Sequence, residues 1–294
     1  MDVEPTVIGI AFSICAAMLF FGAVPYYTLR HVGPGKPPPL PRGRVSITGF
    51  GLVDVIGISI FFVFYAALWA MSLMVEPVEL GKMENIPELL FSQLALQGFM
   101  IVVVGVLIFW RMNLADAFGL RWKQWYWVFC APLVVIGMWA FMSLLEVGGY
   151  NQWILDLVGG DAKQDTVKLL AENKDPLTLG IMAVVVCIGA PLAEEVVFRG
   201  YIYPAMKRFT NISVAVIFTG ILFGAVHGNL GALLPLTVLG IILALAYELT
   251  GSLWAPIAIH FCFNAATTAI QIIMNLNPEL LENLEENAAL IGLG

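Results

Sequence analysis

Apolar residues fill this chain in blocks of about twenty, and polar residues gather in the gaps between the blocks. A helix needs roughly 20 mostly apolar residues to cross the ~30 Å hydrocarbon core of a bilayer. The stretches 6–29, 49–75, 89–110, 126–146, 177–198, 211–228, 231–249 and 253–275 meet that pattern. The predicted fold is all-α, a polytopic membrane bundle of about eight transmembrane helices. A Pro/Gly linker (33–42), an acidic loop (76–88) and a polar loop (147–176) separate them. Residues 1–150 would carry the first four helices, 151–176 a polar loop, 177–275 the last four helices, and 276–294 an acidic tail. Within that tail, Pro278 to Leu290 could form a short interfacial helix. No internal repeat is visible.

Composition agrees. Only 12% of residues are charged and 60% are hydrophobic, whereas a soluble domain carries about 25% charged residues. The lipid bilayer is the expected surrounding, and the protein is expected to be multi-pass in a bacterial or archaeal cell membrane. The net charge of −7, with no basic stripe, argues against a nucleic-acid partner. Cys15, Cys130, Cys187 and Cys262 each lie in an apolar stretch, with no metal-ligand or disulfide spacing. They read as small buried hydrophobes. The acidic start, Met1 to Pro5, lacks the basic region of a secretory signal, so 6–29 reads as a retained first span.

Lysine and arginine placement predicts orientation. Arg30, Lys36, Arg42, Arg44, Arg111, Arg121, Lys123, Arg199, Lys207 and Arg208 fall on one side. Lys82, Lys163, Lys168 and Lys174 fall on the other, which accounts for all 14. The first side should be cytoplasmic, with both termini outside.

The informative departures are polar residues inside apolar stretches, because ionised groups in a low-dielectric slab are expensive to keep. Glu194 and Glu195 adjoin in the fifth stretch, followed by Arg199. Glu195 and Arg199 are four apart and share a helical face, so they can pair. Glu194 points about 100° away and is left for a cavity. A structural ion pair would explain Glu195 and Arg199 but not Glu194. Phe223 and His227 close the sixth stretch, where a lone histidine can equally be a cap. His260 and Asn264 share a face of the eighth, where a helix–helix hydrogen bond is the alternative. Carboxylate, imidazole and carboxamide together can split a peptide bond with water.

Other polar residues carry weaker expectations. Asp54 reads as a supporting or cavity-lining group. Gln93, Gln97 and Gln271 read as interhelical hydrogen-bonding residues. Glu248, near a span end, reads as wet. Gly220, Gly224, Gly228 and Gly231 read as helix-packing positions. Helical rise puts Glu194 about 21 Å and His227 about 24 Å from the basic loop at 207–210, nearer the opposite side.

The order Glu194, Glu195 and Arg199, then Phe223 and His227, then His260 and Asn264, resembles the CAAX prenyl protease and bacteriocin-processing family, also called Abi. The likeness covers roughly 176–275. It implies helices around an intramembrane cavity and an endopeptidase activity. By that resemblance Glu194 activates the water, His227 holds or deprotonates it, and His260 with Asn264 stabilises the oxyanion. Glu195, Arg199 and Phe223 would support them. No metal or other cofactor is expected, because no paired-histidine helix motif is present. A zinc protease using the same residues is the alternative. The expected partner is a peptide or protein substrate, with prenylated and membrane-anchored substrates both open. An immunity or scaffold protein, and a proton-coupled transporter, are the rival classes.

Overall fold

The computed structural model describes residues 3–31, 41–74, 86–121, 125–158, 165–277 and 279. The 33–40 part of the linker, most of the acidic loop, Lys36, Lys82, Lys123 and Lys163, and the tail from 280 lie outside the described residues.

Among the described residues every regular element is helical. In chain order they are α1 (Val3–His31), α2 (Leu52–Ser72), α3 (Ile86–Phe109), α4 (Leu114–Ala117), a 3₁₀ turn (Trp125–Cys130) and α5 (Ala131–Val147). There follow α6 (Tyr150–Val158), α7 (Asp165–Glu172), α8 (Pro176–Val184), α9 (Ala190–Glu194) and α10 (Tyr203–Phe209). The last are α11 (Ile212–Ala225), α12 (Leu230–Thr250) and α13 (Trp254–Leu276). Among the described residues seven helical stretches are long and apolar enough to cross a membrane, with α8 to α10 forming one continuous 34-residue stretch. The protein is therefore a polytopic helical membrane bundle.

The sixth expected span, 211–228, differs. α11 has 14 residues, about 21 Å at 1.5 Å per residue, well short of a ~30 Å core. Its apolar run reads through Val226, but the chain turns there. Gly228 takes a left-handed φ of 62°, and Asn229 caps α12 by accepting from the Ala232 N–H at 2.9 Å. Asn211, Asp175 and Asn113 cap α11, α8 and α4 in the same way.

Two sets of loops mark the two ends of the bundle. At one end the Leu253 N–H donates to Phe118 O, the Arg44 N–H donates to Glu248, and Lys207 reaches Val45 O. At the other, the Leu230 N–H donates to Glu4, the Tyr150 hydroxyl donates to Leu230 O, and Asn275 donates to Leu170 O and Asn173 O.

The first end corrects two expectations. Glu248 is not wet: it is 6% exposed and accepts from Lys207 Nζ (2.8 Å), the Tyr203 hydroxyl (2.7 Å) and the Arg44 N–H (2.9 Å). Lys207 and Arg199, counted above as cytoplasmic-side charges, are both fully buried, so neither is a topology-setting loop charge. Asp54 is engaged in a two-pronged pair with Arg111 at 2.6 and 2.8 Å, as a supporting group.

The main core centres on residues 197–209, α11 and α12, while the buried residues of α8 join a smaller cluster with Leu90 and Leu170. α11 and α12 pack closely because Gly220 and Gly240 meet. A Cβ on Gly240 would lie 2.9 Å from the Gly220 Cα. Gly220 and Gly224 are helix-packing positions, as expected. Gly228 makes the turn instead.

Candidate functional site

The stretch from Pro176 to Phe209 is not a uniform α-helix. It widens into π-helix at Val185–Gly189 and again at Glu195–Ile202. Each wide segment ends two residues before a proline, Pro191 and Pro204. Proline has no N–H and crowds the carbonyl four residues back, so a widened turn relieves the clash. In a π turn, Val186 O would take its hydrogen bond from residue 191, which is proline. Asn264 Nδ2 on α13 donates to that carbonyl at 2.8 Å instead. One of the polar residues singled out from the sequence thus ties α13 to the wide segment.

The junction of α9 with the second wide segment sends the two glutamates to different surroundings. Glu195 is fully buried. Its Oε1 accepts from Arg199 Nη1 at 2.8 Å and from His260 Nδ1 at 2.9 Å. Arg199 also donates to Gly240 O at 3.1 Å and stacks over the Phe223 ring at 4.5 Å. Phe223 touches both histidines, with ring centres 5.1 Å from His227 and 5.6 Å from His260. Glu195, Arg199 and Phe223 form the frame that fixes His260.

Glu194 stands apart. Its side chain is 25% exposed, and its Oε2 lies 3.9 Å from His260 Nε2, too far for a direct hydrogen bond. That oxygen has no hydrogen-bond partner among the described residues. His227 Nδ1 contacts Phe223 O at 2.7 Å. A carbonyl only accepts, so Nδ1 carries the proton and Nε2 is left as an acceptor. Glu194, Phe223, His227, His260 and Asn264 all line one cavity of about 1010 Å³. It reaches Tyr150, Asn151 and Gly231, at the end of the bundle opposite the 41–50, 111–121 and 250–253 loops. The glutamates thus divide into one locked in the frame through Oε1 and one lining the cavity, while the Oε2 of each has no partner among the described residues.

The sequence placed Glu195 with Arg199 but gave no sign of the Glu195–His260 contact, which joins residues 65 positions apart. Gln93, Gln97 and Gln271, expected to bond between helices, line this cavity instead, as do Thr267 and Thr268. Their spacing of three or four residues from Asn264 or from one another was the available signal. The four cysteines are free thiols.

Residues 176–266 match the family described as Type II CAAX prenyl endopeptidase Rce1-like. All seven residues singled out above fall inside that stretch. The chain is 35% identical over 98 residues to YdiL of Bacillus subtilis (strain 168), a candidate membrane peptidase by name. That match covers 33% of this chain and 38% of the relative, so it spans well under half of that protein. The chain is 28% identical over 173 residues to the membrane-embedded CAAX protease MroQ of Staphylococcus aureus (strain USA300), covering 54% of this chain and 67% of the relative. No solved structure gives a significant match.

Proposed function

We propose, from the match of residues 176–266 to the Rce1-like family of type II CAAX prenyl endopeptidases, that this multi-pass membrane protein is an intramembrane endopeptidase of glutamate type. The observation that carries the reading is the division of labour in the glutamate pair. Glu195 is fully buried with Oε1 held by Arg199 and His260, whereas Glu194, 25% exposed, lines the cavity beside His260 Nε2.

In this reaction a water bound by Glu194 and the free Nε2 of His227 attacks the carbonyl carbon of the scissile peptide. Glu194 takes the proton. The carbonyl oxygen becomes an oxyanion, met by His260 Nε2 and by the second N–H of Asn264, whose first holds Val186 O. In that role Nε2 carries a proton, and the ring works as an imidazolium against the Glu195 carboxylate. Glu194 then passes its proton to the amide nitrogen, the C–N bond breaks, and a new acid and a new amine leave.

Zinc is the second reading. Among the described residues no group of three or more His, Cys, Asp and Glu side chains gathers as a metal site requires, which supports the metal-free route. The engaged Nδ1 atoms leave the Nε2 atom of each histidine available, an arrangement that either reading can use.

The test is Glu194→Gln. Cleavage of a membrane peptide substrate should fall by about 10²- to 10⁴-fold, with thermal stability in detergent unchanged, because no partner is lost at Oε2. Wild-type cleavage should also persist in a strong chelator. Full activity of Glu194→Gln would sink the assignment. Loss with chelator and recovery with added zinc would promote the metal reading.

A further inference from the structure

Beyond the reacting groups, the cavity carries a regular set of polar side chains. Gln93 and Gln97 lie four apart on α3. Thr267 and Gln271 lie four apart on α13, following Asn264. α3 and α13 both pack on the first wide segment and on α9, so the two sets flank the helix that bears Glu194. α3 runs toward the 111–121 end and α13 away from it. Gln97 and Thr267 are therefore the deeper members, and Gln93 and Gln271 lie nearer the opposite end.

Two observations separate these residues from ordinary interhelical contacts. The Gln97 Oε1 and Thr267 Oγ1 atoms are buried without a hydrogen-bond partner among the described residues, a state that costs about 1–3 kcal/mol per group unless a ligand relieves it. Space for Gln97 is also built in: a Cβ at Gly189 would overlap its carboxamide oxygen. Spacing then indicates what would relieve them. Residues four apart on a helix are separated by about 6 Å along its axis. An extended polypeptide repeats its same-side backbone groups every two residues, about 6.6 Å. Each ladder is in near register with one edge of an extended chain.

We propose that the α3 and α13 ladders bind the main chain of the substrate in extended form, with Gln97 accepting a substrate backbone N–H. The inference rests on the endopeptidase reading and names what that site would hold: an unfolded polypeptide stretch gripped through its backbone. The strand would run from the scissile bond at Glu194 toward the end where Gln93, Gln271 and Tyr150 lie. Gln97 is a positioning residue here, touching substrate away from the reacting atoms.

The test uses the full chain in nanodiscs and a pool of quenched fluorogenic decapeptides. For a decapeptide that wild type cleaves, each backbone N–H is replaced in turn by an ester oxygen. One ester away from the scissile bond should raise KM about five- to tenfold while kcat holds. In Gln97→Leu, KM for the parent peptide should rise by the same factor, and that ester should cost nothing further. Gln93→Leu, on the same ladder, should behave likewise for the ester two residues away. Thermal unfolding of both variants checks that they fold. Identical ester costs in wild type and Gln97→Leu overturn the proposal. Cleavage of no member of the pool would count against the endopeptidase reading itself. The same decapeptides carrying benzoylphenylalanine then test the ladders without turnover, on the Glu194→Gln protein. Crosslinking that falls at least fivefold in Glu194→Gln/Gln97→Leu supports them, and unchanged crosslinking overturns them.

Discussion

Arg199→Ala removes the guanidinium that pairs with Glu195 and leaves a fully buried carboxylate with one partner in place of two among the described residues. Both side chains of the pair are 0% exposed, so solvent cannot take the place of the missing cation. Breaking a buried pair by deleting one member costs about 3–5 kcal/mol. The bond to Gly240 O and the stacking on Phe223 vanish with it. Glu195 has one other recourse, the His260 ring at 2.9 Å. That one hydrogen bond does not replace the lost charge-assisted pair. Removing the charge from the orphan should rescue stability. Glu195→Gln/Arg199→Ala should recover at least about 1 kcal/mol of the single-variant loss, because the desolvated carboxylate is gone. Arg199→Lys should fall between, keeping a charge but losing the fork that reaches Glu195 and Gly240 together. Reversible unfolding of the four proteins in mixed micelles measures all of this. An Arg199→Ala protein within about 0.5 kcal/mol of wild type, a margin ordinary for surface changes, would refute the reasoning. So would a double variant no more stable than the single.

Other outcomes follow from separate parts of the molecule. Gly240→Ala, whose Cβ would press on the Gly220 backbone at 2.9 Å, should destabilise by about 1–3 kcal/mol. Gly137→Ala, with nothing within 4 Å, should be neutral or stabilising by up to about 1 kcal/mol; thermal unfolding compares them. Asp175 caps α8 through the Thr178 hydroxyl and N–H, and these bonds hold its pKa below the usual carboxylate value. A depressed folded-state pKa means the cap contributes fully above about pH 4 and is lost as pH falls through the folded value. Amide exchange at Thr178 in wild type and Asp175→Ala should therefore differ at neutral pH and converge in acid. On the charge rule, an impermeant maleimide should label Arg121→Cys only from the cytoplasmic side, at a side chain 77% exposed. It should label Asn151→Cys only from outside, and the reverse pattern would overturn the orientation. Lys207, fully buried against Glu248, is unsuited to such labelling.

Helix positions were legible because a bilayer demands long apolar runs and little else of that length satisfies it. The misread parts share a cause. Lys207 and Glu248 look like loop charges because each is read alone, and their contact spans 41 residues. α11 looks long because Val226 continues its apolar run, while the turn depends on Gly228 and Asn229. At the candidate site, spacing four apart correctly paired Glu195 with Arg199. The Glu195–His260 contact depends on how two distant helices pack, which no local pattern encodes. The π-helical segments had a readable sign in Pro191 and Pro204. Where a wide turn begins is set by which carbonyl the proline strands, and where that carbonyl goes depends on Asn264, far along the chain.

The shortness of α11 bears on a reagent that a hydrolase must have and hydrocarbon lacks. Splitting a peptide consumes one water per turnover, and a full-length helix in this position would seal the cavity behind some 30 Å of apolar side chains. After 14 residues the chain instead turns back at Gly228. His227 thus lies at the foot of a recess walled on its outer side by polar groups of Tyr150, Asn151 and Gln93. Such a recess would let the aqueous phase reach inward to the glutamate from the Tyr150 end of the bundle. On the endopeptidase reading proposed above, water would then be drawn from that face, which would make cleavage a vectorial event.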